Sequence, residues 1–163
     1  MHVEVEILAS PEEVRAVVLD FPRYHEWHNA FIAKIEAPPG SIALGGKIFV
    51  TFVDVRETIH ATITCNTANE FRFHGSSAAG AFTGQHYFKF NPRRYKVPED
   101  GEERPESNPP ALSTIFALGE EQTGWMCFWL EDQMPMEHAQ RQQRFGAFAR
   151  DLKARVESLK RGR

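Results

Sequence analysis

Residues 145–159, Phe-Gly-Ala-Phe-Ala-Arg-Asp-Leu-Lys-Ala-Arg-Val-Glu-Ser-Leu, set Phe145, Phe148, Leu152, Val156 and Leu159 three and four positions apart. That spacing puts five apolar side chains on one face of a helix. Arg141, Arg144, Arg150, Lys153 and Arg155 form its polar complement. Pro135 suits a first helical turn, which predicts a helix over about residues 134–160. The other reading starts helical turns near Trp125 and kinks them at Pro135. Either way the chain ends in one long amphipathic helix, and its apolar face needs a surface to cover.

The upstream sequence supplies that surface as strands. Val3, Val5 and Ile7 alternate with Glu4 and Glu6, the period of a strand with one wet face. Ser10-Pro11-Glu12-Glu13 then reads as a helix start, with Ser as N-cap, Pro first and Glu third. Val14, Val17, Val18 and Phe21 follow at helical spacing until Pro22, and a second short helix is expected over Tyr24–Phe31. Strands are predicted at 32–37, 47–53, 58–65, 71–75, 83–90 and 112–122, separated by turn residues, as in an antiparallel meander. Residues 92–110, with five prolines and little to bury, read as a long flexible loop insertion. The 75–84 stretch, GSSAAGAFTG, reads as a flexible hairpin loop. It has neither the Lys nor the strand-to-helix setting of a phosphate loop.

The fold class implied is α+β: a curved antiparallel sheet of about six to seven strands wrapped around the C-terminal helix. Two short helices follow the first strand, and residues 1–163 form a single domain. A helix laid across a curved sheet leaves space that side chains do not always fill, and a ligand cavity is the usual result. The 13 Phe against 8 Leu fit this picture. Aromatics favour strands, whereas helical bundles lean on Leu.

Composition narrows the function. A net charge of −3 argues against a nucleic-acid binder. Residues 150–163 carry six basic and two acidic groups, a local +4 that complements the dipole at a helix end. Two cysteines, Cys65 and Cys127, sit in apolar patterns, and no CxxC or HxxxH spacing suggests a metal site. The stretch near Trp125–Leu130 is too short to span a bilayer, and residues 1–10 lack a signal-peptide core. A cytoplasmic protein without stable membrane insertion is the expectation, as monomer or homodimer, with no cofactor and no metal.

Several segments together resemble one superfamily. In SPEEVRAVVLDFPRYHEWHNAFI, Phe21, Pro22, Tyr24, Glu26 and Trp27 match the aromatic-Pro-x-Tyr-x-Glu-Trp stretch of the SRPBCC, or START-like, proteins. The small polyketide cyclase/dehydrase-like members are the most similar. Gly84, His86 and Phe88 match their Gly-x-His-x-Phe strand, and Thr114, Phe116, Glu120 and Gly124 match the strand that follows. Leu118 and Gln122 stand where His and Phe are typical. The resemblance spans nearly the whole chain and implies a helix-grip fold. The functions it implies range over carriers of lipids and other hydrophobic ligands, hormone receptors, aromatic polyketide cyclases and co-chaperone-like interaction modules.

His86 and Glu120 are the candidate catalytic pair. Each shares a strand face with apolar neighbours and should point inward, and counting back through a 92–110 hairpin sets His86 opposite residues 118–120. A carboxylate beside an imidazole orients it as a general base requires. Both also count as candidate ligand contacts, together with Trp27, Phe31, Phe52, Phe73, Phe88, Phe116 and Phe148. Trp27 is the expected lid or wall. His25 and His28 are expected to be exposed, and His60 to face solvent. The leading expectation is a carrier or sensor of a hydrophobic or aromatic small molecule. The alternatives are a metal-independent cyclase or dehydratase using His86 and Glu120, and a protein-interaction module.

Overall fold

A computed structural model describes residues 1–53, 58–76, 83–94, 112–123 and 135–162, with side chains of the last segment from residue 139. The chain runs β1 (His2–Ile7), α1 (Pro11–Leu19), a 3-10 helix (Phe21–Glu26), β2 (Ile32–Glu36), β3 (Lys47–Phe52), β4 (Ile59–Asn66), β5 (Glu70–Ser76), β6 (Thr83–Arg94), β7 (Leu112–Thr123) and α2 (Pro135–Arg161). The strands form one antiparallel sheet in the order β1-β7-β6-β5-β4-β3-β2, curled around α2. Strands β2 to β7 are thus a meander, and β1 alone pairs out of sequence, its Val5 opposite Phe116 of β7. This is the helix-grip arrangement.

Local chemistry sets the early elements. The Ser10 hydroxyl accepts the Glu13 N–H at 3.3 Å, while the Ser10 N–H donates to the Glu13 carboxylate at 3.0 Å. This capping box satisfies two backbone donors at the start of α1, a feature worth about 1 kcal/mol. The short helix expected over Tyr24–Phe31 is instead a 3-10 turn at Phe21–Glu26. Pro22 therefore opens that element as well as closing off α1, because its fixed φ suits a first turn. The buried Tyr24 hydroxyl donates to the Val18 carbonyl at 2.6 Å and ties the turn to α1.

Strand β6 extends past the expected end at Phe90 to Arg94, so Pro92, read as the start of the loop, lies in the strand opposite Thr114. The Phe90 N–H bonds to the Asn69 carbonyl at 2.8 Å, and beyond it β6 has left its β5 neighbour. A proline is tolerated where one edge of a strand is unpaired. The rest of the expected loop, the 77–82 part of the Gly-rich hairpin, Gly124 and Cys127 lie outside the described residues.

The core lies between α2 and the inner face of the sheet. Phe145, Phe148, Leu152 and Val156 of α2 are buried, as are Phe71, Phe73, Phe88, Phe90, Phe116 and Leu118 of the sheet. Burying each such side chain contributes about 1.5–3 kcal/mol. Leu159, the last member of the predicted apolar stripe, is 41% exposed. It lines a surface groove between α1 and the end of α2, beyond the reach of the sheet.

Candidate functional site

The β6–β7 register sets His86 directly across from Glu120. Both side chains point to the inner face, in step with Phe88 and Phe90 on one strand and Phe116 and Leu118 on the other. His86 Nε2 lies 3.3 Å from Glu120 Oε1, and the other carboxylate oxygen lies 3.6 Å from Arg141 Nη1 of α2. Gly84 shares this inner face. A Cβ there would stand 2.7 Å from Glu120 Oε1, so its missing side chain is what gives the carboxylate room beside the imidazole.

His86 is surrounded by rings. Phe73 stacks on it at 5.1 Å between centroids, Phe52 lies at 5.2 Å, Phe31 at 6.1 Å and Phe145 at 6.4 Å. The histidine is 8% exposed, and among the described residues its buried Nδ1 meets no hydrogen-bond partner. Burial pushes its pKa below the ordinary histidine value. Glu120 opposes that shift and the Arg141 guanidinium adds to it. The imidazole is therefore neutral at pH 7.

The other expected ligand residues form a second group. Phe88 lies 5.7 Å from Phe148 and 6.2 Å from Phe116, and Trp27 meets Phe148 edge-on at 5.3 Å. Phe31 joins the two groups, 4.6 Å from Phe145 and 6.4 Å from Phe148. The structure thus gathers Phe31, Phe52 and Phe73 with His86 and Glu120, and places Phe88, Phe116, Phe148 and Trp27 farther along the core. His60 is exposed, as expected.

Two participants escaped the sequence reading. Arg141 belongs to the polar complement of the last helix, yet it sits four residues before Phe145 and seven before Phe148, the spacing of a shared helix face. His28, expected to be exposed, has a side chain wholly removed from solvent. The Phe31 N–H donates to His28 Nε2 at 2.8 Å, so that nitrogen is bare. Its Nδ1–H therefore donates to Asp151 of α2, 2.8 Å away. The ring also packs edge-on against Phe148 at 4.8 Å. His28 thus pins the 27–31 segment to α2 and positions Phe31 over Phe145.

The His28 geometry fixes a pH dependence. Burial, the larger influence, lowers its pKa, and Asp151 only partly opposes this. The same direction holds for His86. For a histidine depressed by folding, the unfolded chain takes up a proton first, below about pH 6.5. Stability is then full above that pH and falls on acidification until the folded form also protonates. Urea unfolding between about pH 7.5 and 5.5 should show the loss, at most about 1.4 kcal/mol per pH unit for each histidine. A flat profile would contradict neutral, buried rings.

Among the described residues, no group of three or more His, Cys, Asp and Glu could hold a metal ion. No described helix is long and apolar enough to cross a membrane. No protein-family model matches the chain, and no curated protein matches it. Solved structures do resemble it. A START superfamily protein from Mycobacterium smegmatis aligns over 98% of this chain and 97% of its own at 17% identity, with a TM-score of 0.62. A hypothetical protein from Helicobacter pylori aligns over 95% of this chain and 86% of its own at 13% identity, with a TM-score of 0.63. A Thermus thermophilus protein aligns over 98% and 97% at 15% identity, with a TM-score of 0.58. At these identities the likeness is one of fold, and that fold is START-like.

Proposed function

We propose that this START-like helix-grip domain binds one hydrophobic or aromatic small molecule between its sheet and α2, as a carrier or sensor. The observation that carries this reading is the buried nitrogen of His86, unpartnered among the described residues, inside a shell of phenylalanines. A buried polar atom without a partner costs about 1–3 kcal/mol, a cost that a suitable ligand removes. Phe31, Phe52 and Phe73 would grip the apolar body of the ligand, while His86 and Glu120 supply its polar end. Phe88, Phe116 and Phe148, each fully buried, would support that grip from behind, with Trp27 packed on Phe148 from the groove between α1 and α2. The START-like fold is compatible with this use, because a helix over a curled sheet forms a concave interior.

Native mass spectrometry of freshly purified protein should reveal a bound small molecule, and that compound should displace a fluorescent apolar probe. A protein that carries no such adduct and takes up no apolar probe would remove the proposal.

The 3.3 Å contact between His86 and Glu120 favours a second reading, a metal-independent cyclase or dehydratase. A carboxylate at one ring nitrogen leaves the other free to take a proton from a substrate. In that case His86→Ala should abolish turnover while the substrate still binds. Unchanged turnover in the variant would leave only the binding role.

A further inference from the structure

We propose that the ligand of this site is a hydroxylated aromatic molecule whose O–H donates a hydrogen bond to His86 Nδ1, a proposal that rests on the reading of the site as a small-molecule pocket. His86 Nε2 faces Glu120 Oε1 at 3.3 Å. The negative carboxylate beside Nε2 favours the tautomer that carries the ring proton on that nitrogen. A neutral imidazole has only one such proton. Nδ1 is therefore a bare acceptor, buried, with no donor among the described residues.

Its surroundings decide what is missing. Phe73 and Phe52 lie about the ring at 5.1 and 5.2 Å, and phenyl groups bring no O–H or N–H. A ligand carboxylate or phosphate would set lone pair against lone pair, close to the negative charge of Glu120. A ketone or ether has the same fault, since each offers only an acceptor. A cationic amine could donate, but it would lose its hydration in a shell of phenyl rings. A hydroxyl on an aromatic body meets both requirements: the body lies against phenylalanine, and the O–H completes His86.

Arg141 and Gly84 give the arrangement its direction. The guanidinium lies 3.6 Å from Glu120 Oε2 and holds that oxygen, which leaves Oε1 to the imidazole. The bare Gly84 lets the carboxylate approach, where a Cβ would stand at 2.7 Å.

Four probes test this by calorimetric titration into the full chain: naphthol, its methyl ether, naphthalene and naphthoate. Naphthol is expected to bind about tenfold tighter than the ether, or about 1.4 kcal/mol, because the ether brings no donor to the buried acceptor. Naphthoate should be weakest. The His86→Phe variant should erase the advantage of naphthol over its ether. Equal affinity for naphthol and ether would overturn the hydroxyl assignment and leave the pocket reading standing, whereas no binding by any of the four would overturn both. Nitrogen NMR of the free protein gives a check independent of folding in the variant. His86 Nδ1 should resonate as an unprotonated nitrogen and move toward the protonated range when naphthol is added, and a protonated Nδ1 in the free protein would sink the proposal.

Discussion

Phe148→Ala should cost about 3–5 kcal/mol of stability, the range for removing a fully buried Phe. The residue is 0% exposed. Its ring meets His28 at 4.8 Å, Trp27 at 5.3 Å, Phe88 at 5.7 Å and Tyr24 at 5.8 Å. Those neighbours belong to α2's partners on two sides: the 21–28 segment and the inner face of the sheet. None of them can collapse into the vacated space without losing contacts on its other side. The measurement is a urea denaturation series in which the midpoint falls while the slope stays constant. Phe148→Leu, which keeps most of the volume, should cost under about 1.5 kcal/mol. A loss below about 1 kcal/mol for the alanine variant would mean that the ring is not at the centre of the packing.

His28→Ala should cost about 2–4 kcal/mol, a large loss for a single polar residue. Two effects add. The Phe31 N–H, buried and bonded to His28 Nε2 at 2.8 Å, is left without an acceptor. A ring with no solvent exposure is also removed from beside Phe148. Asp151→Asn should be nearly silent by comparison, because the amide oxygen still accepts the Nδ1–H and Asp151 is 38% exposed. Hydrogen exchange at the Phe31 amide gives the specific readout, slow in the parent protein and fast in His28→Ala. If the two variants lose equal stability, the assigned tautomer is wrong.

Local periodicity explains what could be read from the sequence. The capping box of Ser10 and Glu13, the alternation of Ile59, Ala61 and Ile63, and the stripe from Phe145 to Val156 each depend on neighbours within one turn or one strand. The pairing of His86 with Glu120 was legible only to within a residue or two, since the loop was expected from Pro92 whereas β6 stays paired to Arg94, opposite Leu112. What stayed hidden depends on distant partners. His28 looks like a polar residue in a polar run, and only Asp151, on the last helix, makes its burial tolerable. Arg141 reads as one more solvated cation until the sheet brings Glu120 beneath it. Leu159 fits the helical period but lies beyond the end of the surface that the period was meant to cover.

The sheet order carries a consequence for how the protein is made. Strands β2 to β7 are sequential neighbours, so each can pair as soon as it leaves the ribosome. Strand β1 must wait for β7, and α2 follows every strand in the chain. Phe21 of the 3-10 helix can already pack on Phe71, but Phe88 and Phe116, which Phe148 covers, stay open to water until α2 emerges. Such surfaces aggregate at ordinary cellular concentrations. A chain that terminates before Phe145 and Phe148 should therefore accumulate as insoluble protein even though every strand of the sheet is present.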